Sequence, residues 1–445
     1  MVSNAELRPR SFYLNRLAAF QDTEPVKIIT GIRRCGKSKL MDLMIQHIRE
    51  QGIPEEQILK MNFESYAFAD MTQSKFHEYV VKRVKPDRRM YLFFDEPQLI
   101  RGWEKVINAF RVDLNCDIYI TGSNAYLLSG EYATYLSGRH VEIRMYPLTF
   151  SEFLDFHGFS VNQIPTTFGG IKTAISDRTG LVYSPEEVFE VFLRYGGMPG
   201  LADVGLNQEN AITLLDGVYT TVLVRDILQR DQIASQKKIT DHQLLQRISR
   251  YLAGNIGNLS SYTNMSKELF KAELLPEDEE SQENPHSSTP SVHTVQDYVA
   301  ALMKAYMFQE VRRFDVKGNE QLKTLGKFYI ADVGLRNYLL GFSNADRGKV
   351  LENVVYLELM KRGYDVSVGK IRDREVDYRA VRAGEAVYFQ VTETLSDEKT
   401  RNRELLPLQE ISDNYPKIIL SMDPEAPNTM NGIIQKNLIR WLLEE

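Results

Sequence analysis

One glycine-rich stretch constrains the fold of this chain more than any other. Residues 26–45, VKIITGIRRCGKSKLMDLMI, contain the complete pattern G-x-x-x-x-G-K-[ST], with Gly31, Gly36, Lys37 and Ser38 in its fixed positions. The apolar, β-branched run before the first glycine is typical of a buried parallel strand, and apolar residues at helical spacing follow the motif. Strand, glycine loop and helix in this order form the context that a phosphate-binding loop requires.

The chemistry of this stretch follows from its expected geometry. Glycines allow consecutive backbone N–H groups to surround phosphate oxygens, and a helix N-terminus adds its positive dipole. Lys37 would reach the β- and γ-phosphates, and the Ser38 hydroxyl would bind Mg²⁺. No guanine-reading signature stands out, so ATP is the expected nucleotide. It would contact the loop residues Gly31, Ile32, Arg33, Arg34, Cys35, Gly36, Lys37, Ser38 and Lys39.

A pair of carboxylates favours hydrolysis of that nucleotide. Asp95 and Glu96 come directly after the apolar run MYLFF at 90–94, as in a strand that ends beside the phosphates. In this arrangement Asp95 would bind Mg²⁺ and Glu96 would polarise the attacking water. A small-molecule kinase needs no water-activating glutamate at this position. The pair therefore argues against a chance glycine-rich turn and favours an ATPase.

Two further positions are candidates for the catalytic site. The strand-like run 116–120 is followed by a polar tip in which Ser123 or Asn124 could donate a hydrogen bond near the γ-phosphate, or cap the next helix. Arg139 follows a glycine and precedes another strand-like run. It could stabilise the transition state as an arginine finger, within one chain or across a subunit boundary, or be an ordinary surface residue.

Composition restricts the setting in which such a chain works. No run approaches the roughly 18 apolar residues of a membrane span, and the first ten residues are not followed by the apolar core of a signal peptide. Two cysteines, Cys35 and Cys116, provide no disulfide framework, which fits a reducing cytoplasm. The formal net charge of −6 at pH 7 argues against wholesale coating of nucleic acid, so any DNA contact would need a local basic patch.

The length of 445 residues predicts a multidomain α/β protein. Alternating strands and helices in residues 1–180 predict an ATPase domain built on a parallel sheet. Residues 181–238 have the pattern of a helical lid or connector. Three helices and a hairpin-like pair of strands in 239–345 predict a winged helix-turn-helix with an acidic, disordered insertion at 273–291. Residues 346–445 return to an α/β pattern.

The predicted winged-helix segment does not decide whether its binding partner is DNA or a protein. Its third helix, at 293–307, offers one cation, Lys304, and the acidic insertion would repel phosphate. Basic residues on the wing could compensate for this repulsion: Arg312, Arg313, Lys317, Lys323 and Lys327. DNA contact and docking of a protein are both compatible with this pattern.

The last hundred residues have the outline of a PD-(D/E)xK nuclease core. Glu352 lies on a predicted helix, Glu375 and Asp377 lie at a strand end, and Gln390 and Thr392 share one face of the next strand. In active enzymes that strand supplies Glu-x-Lys, so that two carboxylates bind Mg²⁺ and the lysine orients water. Thr392 brings no cation and Gln390 is a weaker ligand. Metal-dependent cleavage and a degenerate nuclease fold kept for binding both stay open.

With these motifs in place, the chain resembles along its whole length a family of bacterial and archaeal AAA-type ATPases whose C-terminal half is a domain of unknown function. The matching stretches are ITGIRRCGKS, FFDEPQLIRGWE, TGSNAYLLSG, LSGRHVEIRMYPLTFSEF, YGGMPGL, KFYIADVGLRN, REVDYRAV and YFQVTETLSD. The resemblance implies ATP binding and hydrolysis, a sensor role for Ser123 or Asn124, a winged-helix middle and a nuclease-like end. The missing Glu-x-Lys and the acidic insertion depart from the family pattern.

Taken together, the sequence predicts an ATP-hydrolysing conformational switch that associates with DNA. Two alternatives stay open, namely a metal-dependent DNA nuclease gated by ATP, and a protein-interaction switch with a degenerate nuclease domain. The expected partners are ATP, DNA, and either a second copy of the chain through Arg139 or another protein.

Overall fold

The computed structural model describes residues 7–128, 138–165, 171–229, 239–273, 290–342, 346–424 and 429–444. The chain divides into two compact units. Unit 1 comprises Met1–Pro147 with Lys304–Tyr306, and unit 2 comprises Leu148–Met303 with Met307–Glu445. Most of the predicted insertion at 273–291 and the end of the predicted connector, 230–238, lie outside the described residues.

Unit 1 is organised around a five-stranded sheet in which every pairing is parallel. In chain order its strands are β1 (Val26–Thr30), β2 (Ile58–Asn62), β3 (Met90–Asp95), β4 (Cys116–Gly122) and β5 (His140–Arg144). Its helices are α1 (Ser11–Ala18), α2 (Lys37–Glu50), α3 (Gln73–Val81) and α4 (Trp103–Asp113), with short 3₁₀ turns at Glu55–Gln57, Tyr66–Phe68, Pro97–Leu99 and Ala125–Leu128. The predicted α/β fold with a parallel sheet is confirmed.

The strand order of this sheet, β2-β3-β4-β1-β5, places β4 between the P-loop strand and the strand that carries the carboxylates. Thr30 at the end of β1 pairs with Gly122, and Asp95 at the end of β3 pairs with Thr121. The carboxyl ends of β1, β3 and β4 therefore meet at one edge, where a parallel α/β sheet binds its ligand.

The apolar strands of unit 1 are held by an aromatic core. Every residue of β1 and β3 is buried, as expected for strands that are covered on both faces. Phe76 lies 5.0 Å from Phe94 and 5.5 Å from Phe110 between ring centroids, and both pairs meet edge to face. Since α3 and α4 carry Phe76 and Phe110, these contacts fix both helices against the sheet that presents Asp95.

Unit 2 contains two sheets. The smaller is an antiparallel sheet of β6 (Ser160–Pro165), β7 (Ile171–Ser176) and β8 (Val182–Tyr183). The larger is a mixed nine-stranded sheet of order β16-β17-β15-β14-β13-β12-β10-β11-β9. Its strands are β9 (Leu259–Ser260), β10 (Phe308–Asp315), β11 (Glu320–Ile330), β12 (Asp365–Ile371), β13 (Arg374–Arg382), β14 (Glu385–Val391), β15 (Lys417–Ser421), β16 (Thr429–Met430) and β17 (Ile433–Asn437).

The helices of unit 2 alternate along the chain with the strands of these sheets. They are α5 (Phe150–His157), α6 (Pro185–Tyr195), α7 (Leu201–Val204), α8 (Gln208–Thr221) with a π-helical continuation Val222–Gln229, α9 (His242–Gly254), α10 (Tyr262–Glu273), α11 (Val292–Lys304), α12 (Val333–Leu340), α13 (Arg347–Lys361), α14 (Glu398–Gln409) and α15 (Leu438–Leu443). Across the described ranges, no helix combines the length and the apolar character needed to cross a membrane.

The strands predicted as a wing belong to the same sheet as the strands of the last hundred residues. β10 and β11 form an antiparallel hairpin, and β10 also pairs in parallel with β12 through Arg313 and Val368. The three helices expected before the hairpin are present as α9, α10 and α11. The winged helix and the division of the chain at 180, 238 and 345 stay predictions.

A buried aspartate joins two of the sequence motifs within unit 2. Asp332 accepts hydrogen bonds from the backbone N–H groups of Gly197, at 2.7 Å, and Leu335, at 3.0 Å. This links YGGMPGL at the end of α6 to the start of α12. Gly196 has φ +81°, and a β-carbon there would lie 2.3 Å from Asp332 Oδ1. Burial raises the pKa of Asp332 to about 6, although the backbone N–H donors oppose that shift.

We expect Asp332→Ala to lower the free energy of unfolding by roughly 2 kcal/mol, because buried N–H groups would lose their acceptor while part of the cost of burying the carboxylate is relieved. Urea denaturation followed by circular dichroism would measure the change. Asp397→Ala is the matched control, since Asp397 caps the exposed first turn of α14 through Thr400 N–H at 2.8 Å, and it should cost about 1 kcal/mol. Equal losses in the two variants would contradict a special role for Asp332.

Candidate nucleotide-binding site

The glycine loop of unit 1 turns from the end of β1 into the start of α2. Gly31 has φ +140°, and a β-carbon there would lie 2.3 Å from the carbonyl oxygen of Met145. A side chain at this position would therefore collide with the backbone that follows β5. Lys37 is the first residue of α2, so the loop lies at a helix N-terminus as the motif predicts.

Lys37 folds back over the loop. Its side chain is buried, and Nζ donates hydrogen bonds to the carbonyl oxygens of Gly31, at 2.9 Å, and Ile32, at 3.1 Å. An ammonium group has three N–H donors, so phosphate oxygens would share this cation with the loop carbonyls or displace them. The position fits a lysine that binds the phosphates of a nucleotide.

Ser38 and Asp95, the predicted Mg²⁺ ligands, lie in contact. Ser38 Oγ donates to Asp95 Oδ1 at 3.1 Å, and the Thr121 hydroxyl donates to the same oxygen. Burial raises the pKa of Asp95, while the two hydroxyl donors favour its charged form. Mg²⁺ prefers hydroxyl, carboxylate and phosphate oxygens, so this donor set fits the ion that the motif implies.

Glu96 lies beside Asp95 in an unusual backbone conformation, with φ +56°. Its N–H donates to Thr121 Oγ1 at 3.2 Å, which connects the start of the turn to the end of β4. Its carboxylate accepts hydrogen bonds from Gln98 Nε2 and, at 3.3 Å, from Ser123 Oγ. Both donors contact the same oxygen, Oε2, and hold the carboxylate at the edge of the sheet where the P-loop begins.

Both sensor candidates lie at this edge and are buried. Ser123 contacts the carboxylate of Glu96 directly, and Asn124 follows it in the same turn. Asn124 also accepts a backbone hydrogen bond from Leu127 at 3.2 Å through its carbonyl oxygen, as the start of a short 3₁₀ turn does. The contact of Ser123 with Glu96 makes it the stronger candidate for acting on the catalytic carboxylate.

Arg139 lies at the amino ends of the strands, opposite the end that carries the P-loop. Its carbonyl oxygen accepts a hydrogen bond from Val26 N–H at 2.9 Å, at the amino end of β1, whereas the P-loop follows the carboxyl end of β1. Four residue steps, from Val26 to Thr30, separate the two ends of β1 by about 13 Å. The side chain is exposed. The structure therefore does not bring Arg139 to the P-loop of its own chain, and a role across a subunit boundary stays a prediction.

The remaining loop residues differ in their surroundings. Arg33 forms an ion pair with Glu64, which follows β2, while Arg34 and Lys39 are exposed. Cys35 is fully buried and does not present its thiol at the surface. Part of the positive charge expected in the loop is thus already compensated within unit 1.

Arg10 is a residue at this site that sequence reasoning missed. Its buried guanidinium donates to the carbonyl oxygens of Cys35, at 3.2 Å, and Tyr146, at 3.1 Å, and it lies 4.7 Å from the ring centroid of Tyr13. The Tyr146 partner is 136 residues away along the chain. An arginine before an amphipathic helix carries no signal of this contact, so only the fold could show that it supports the P-loop backbone.

The predicted nuclease-like residues lie in unit 2, and the structure brings three of them together. Glu352, Glu375 and Asp377 converge on the ammonium group of Lys327. The side chain of Gln390 is used elsewhere, since Nε2 donates to Glu404 at 2.6 Å and Oε1 accepts from Asp377 N–H at 3.2 Å. All of them line one cavity of about 680 Å³.

One expectation for this half of the chain needs correction. Lys327 is not an exposed cation of a basic wing, because only 2% of its surface is accessible and its charge is compensated by carboxylates. The role of Gln390 as a weaker metal ligand stays a prediction, since Oε1 accepts one hydrogen bond and has a second lone pair. The burial of Lys327 could not be read from alternation along a strand, which gives the face of a side chain but not its partner.

Comparisons with known proteins agree with the class that this geometry defines. Residues 23–154 match the model of an AAA domain, and residues 186–346 match a domain of unknown function, DUF8612. A parallel sheet with a P-loop and paired carboxylates at its carboxyl edge is the arrangement of an AAA-type P-loop protein.

Similar proteins are found in other organisms. An uncharacterized protein of Haemophilus influenzae is 34% identical over 439 residues, which cover 98% of each chain. An uncharacterized protein of Methanocaldococcus jannaschii is 28% identical over 85% of this chain and 77% of its own. The chain therefore belongs to the family of AAA-domain proteins that includes the Haemophilus influenzae protein.

A solved structure, the Walker-type ATPase of Pyrococcus abyssi, is similar over 75% of this chain and 96% of its own, with 15% identity and a TM-score of 0.48.

We expect Lys37→Ala to weaken nucleotide binding by about ten- to one-hundred-fold, because a charge-assisted hydrogen bond contributes roughly 1.5–3 kcal/mol. Titration with a fluorescent ATP analogue in the presence of Mg²⁺ would measure the change. Lys82→Ala is the control, since Lys82 is an exposed cation of unit 1 that pairs with Glu78. Unchanged affinity in Lys37→Ala would show that nucleotide does not bind at the P-loop.

Proposed function

We propose that this protein is an ATP-hydrolysing conformational switch in which unit 1 binds ATP with Mg²⁺ and cleaves the γ-phosphate. The observation that carries this proposal is the contact of Ser38 with Asp95, next to a Glu96 carboxylate held by Ser123 and Gln98. A metal ligand pair and a base beside one P-loop are the parts that nucleotide hydrolysis requires.

The residues of unit 1 would divide the work as follows. Lys37 would exchange its carbonyl partners for β- and γ-phosphate oxygens, and Ser38 and Asp95 would hold Mg²⁺. When bound, the ion neutralises charge that develops on the phosphates. Glu96 would accept a hydrogen bond from the attacking water and orient it for in-line attack.

The contacts of Glu96 suggest how hydrolysis would couple to conformation. Its carboxylate accepts the hydrogen bonds from Ser123 and Gln98 at one oxygen, Oε2, so a movement of either donor would turn the carboxylate relative to the attacking water. Thr121 contacts both Asp95 and the backbone of Glu96. A ligand that moved Asp95 would therefore also move the turn that carries Glu96. The proposed switch begins at this turn.

We further propose DNA as the partner to which the ATPase responds. The support is the set of cations on the β10–β11 hairpin, where Arg312 and Lys317 are exposed. Protein docking is the alternative, because the net charge of −6 and the buried position of Lys327 leave fewer cations for phosphate. A finger role for Arg139 would need a second copy of the chain.

We expect Ser123→Ala to lower kcat for ATP by about ten-fold with little change in KM, because a loosely held Glu96 would orient water poorly while the phosphate contacts stay intact. Steady-state phosphate release would measure both constants. Ser74→Ala, on the exposed face of α3, is the control. A rise in KM at constant kcat would show that Ser123 acts in binding instead.

The DNA-coupled proposal is tested by steady-state ATP hydrolysis with double-stranded, single-stranded and branched DNA, with Glu96→Gln as the blank. We expect one DNA form to raise kcat at least several-fold and the variant to abolish hydrolysis, since the glutamate that orients water is lost. A rate of hydrolysis that no form of DNA changes would contradict the proposal that DNA is the partner, but not the proposed ATPase activity. Activity retained by Glu96→Gln would contradict the assigned mechanism.

A further inference from the structure

A lysine occupies the centre of the carboxylate cluster in unit 2. Lys327 Nζ lies 2.9 Å from Glu352 Oε1, 2.7 Å from Glu375 Oε1 and 3.3 Å from Asp377 Oδ1. An ammonium group has three N–H donors, and here each of them has a carboxylate oxygen within reach. Lys327 thus contacts the same carboxylates that a nuclease core would offer to a metal ion.

Other donors take up the remaining oxygens of the two buried carboxylates. Glu352 Oε1 also accepts from the Tyr329 hydroxyl at 2.6 Å, and Oε2 accepts from Lys349 at 3.0 Å. Asp377 Oδ2 accepts from Val391 N–H at 3.0 Å. A metal ion at these oxygens would therefore have to share them with protein donors or displace those donors.

The charges of the cluster depend on Lys327. Burial alone would lower the pKa of Lys327, but Glu352, Asp377 and Glu375 together raise it, so the ammonium stays charged. Burial alone would raise the pKa of Glu352, but Lys327 and Lys349 lower it. Burial and Glu352 raise the pKa of Asp377 to about 7 in spite of Lys327. Without the ammonium, the buried carboxylates would lack their central counter-charge.

Mg²⁺ does not fit this arrangement. It requires oxygen ligands at about 2.0–2.1 Å in near-octahedral geometry, and the Lys327 ammonium stands where those ligands converge. A second cation close to a buried ammonium would also be strongly repelled. Moreover, Thr392 cannot supply the lysine that orients water in active nucleases, and its hydroxyl donates to the carbonyl oxygen of Thr394 at 3.4 Å.

We infer that Lys327 is a built-in counter-ion that closes the Glu352, Glu375 and Asp377 cluster to divalent metal ions. The cluster is then a fixed junction between β11, α13 and β13 rather than the centre of a metal-dependent nuclease. The alternative, in which Lys327 replaces the missing nuclease lysine beside a bound metal, is an outcome of the test below. This inference does not depend on the proposed ATPase activity.

The test is Mn²⁺ binding by the full chain without nucleotide. All proteins carry Asp95→Asn, so that the P-loop site loses its predicted carboxylate ligand. In the parent, calorimetry should detect no Mn²⁺ binding that depends on Asp377, so adding Asp377→Asn should change nothing. The Tm of the parent should not rise with Mn²⁺. Lys327→Met removes the ammonium and keeps a long side chain. It should bind Mn²⁺ stoichiometrically, lose that binding when Asp377→Asn is added, and show a rise in Tm with Mn²⁺.

Lys349→Met is the matched control, because Lys349 also contacts Glu352 but from the partly exposed rim of the cluster. Its loss should not create a Mn²⁺ site. Stoichiometric Mn²⁺ binding by the parent that Asp377→Asn abolishes would overturn the inference and favour a nuclease centre. A folded Lys327→Met that binds no Mn²⁺ would also overturn it. If Lys327→Met does not fold, the comparison of the parent with Asp377→Asn still decides.

Discussion

The parallel register of the five-stranded sheet is the constraint on which the nucleotide site depends. Because Thr30 pairs with Gly122 and Asp95 pairs with Thr121, strands far apart in sequence end at the same level. β4 lies between β1 and β3, so Thr121 contacts both Asp95 and the backbone of Glu96. A shift of β4 by one residue would turn Thr121 to the other face of the sheet and separate these groups.

The site residues that the sequence could predict are those that belong to local motifs. The P-loop and the carboxylate pair are local patterns, and a motif that includes its flanking strand and helix defines them without knowledge of distant contacts. The parallel sheet follows from alternating strands and helices, and its carboxyl edge follows from the same rule. The structure brings Lys37 into contact with Gly31 and Ser38 into contact with Asp95.

Residues whose position depends on long-range packing were beyond such reasoning. Arg10 supports the P-loop backbone from the N-terminal segment, although nothing near it in sequence indicates that contact. Arg139 was a fair candidate as an arginine between a glycine and a strand. The parallel pairing of β5 with β1 nevertheless places it at the amino end of the sheet. Sequence spacing gives the element on which a residue lies, whereas pairing decides which end of that element faces the site.

Lys327 shows the same limit most clearly, because its strand pattern is compatible with an exposed wing and with a buried core. It forms hydrogen bonds with Glu352 and Asp377, which lie 25 and 50 residues away, and hydrogen bonds at that separation leave no trace in local periodicity.

The carboxylate sites of Asp95 and Asp377 differ in how the negative charge is compensated. Around Asp95 the donors are neutral hydroxyls, which leave its charge available to a metal ion that arrives with a nucleotide. Around Asp377 the cation is part of the chain. A site that gains and loses its cation can report the state of a nucleotide, and a site with a permanent cation cannot, so under the proposed function the metal ion would exchange at the Asp95 site.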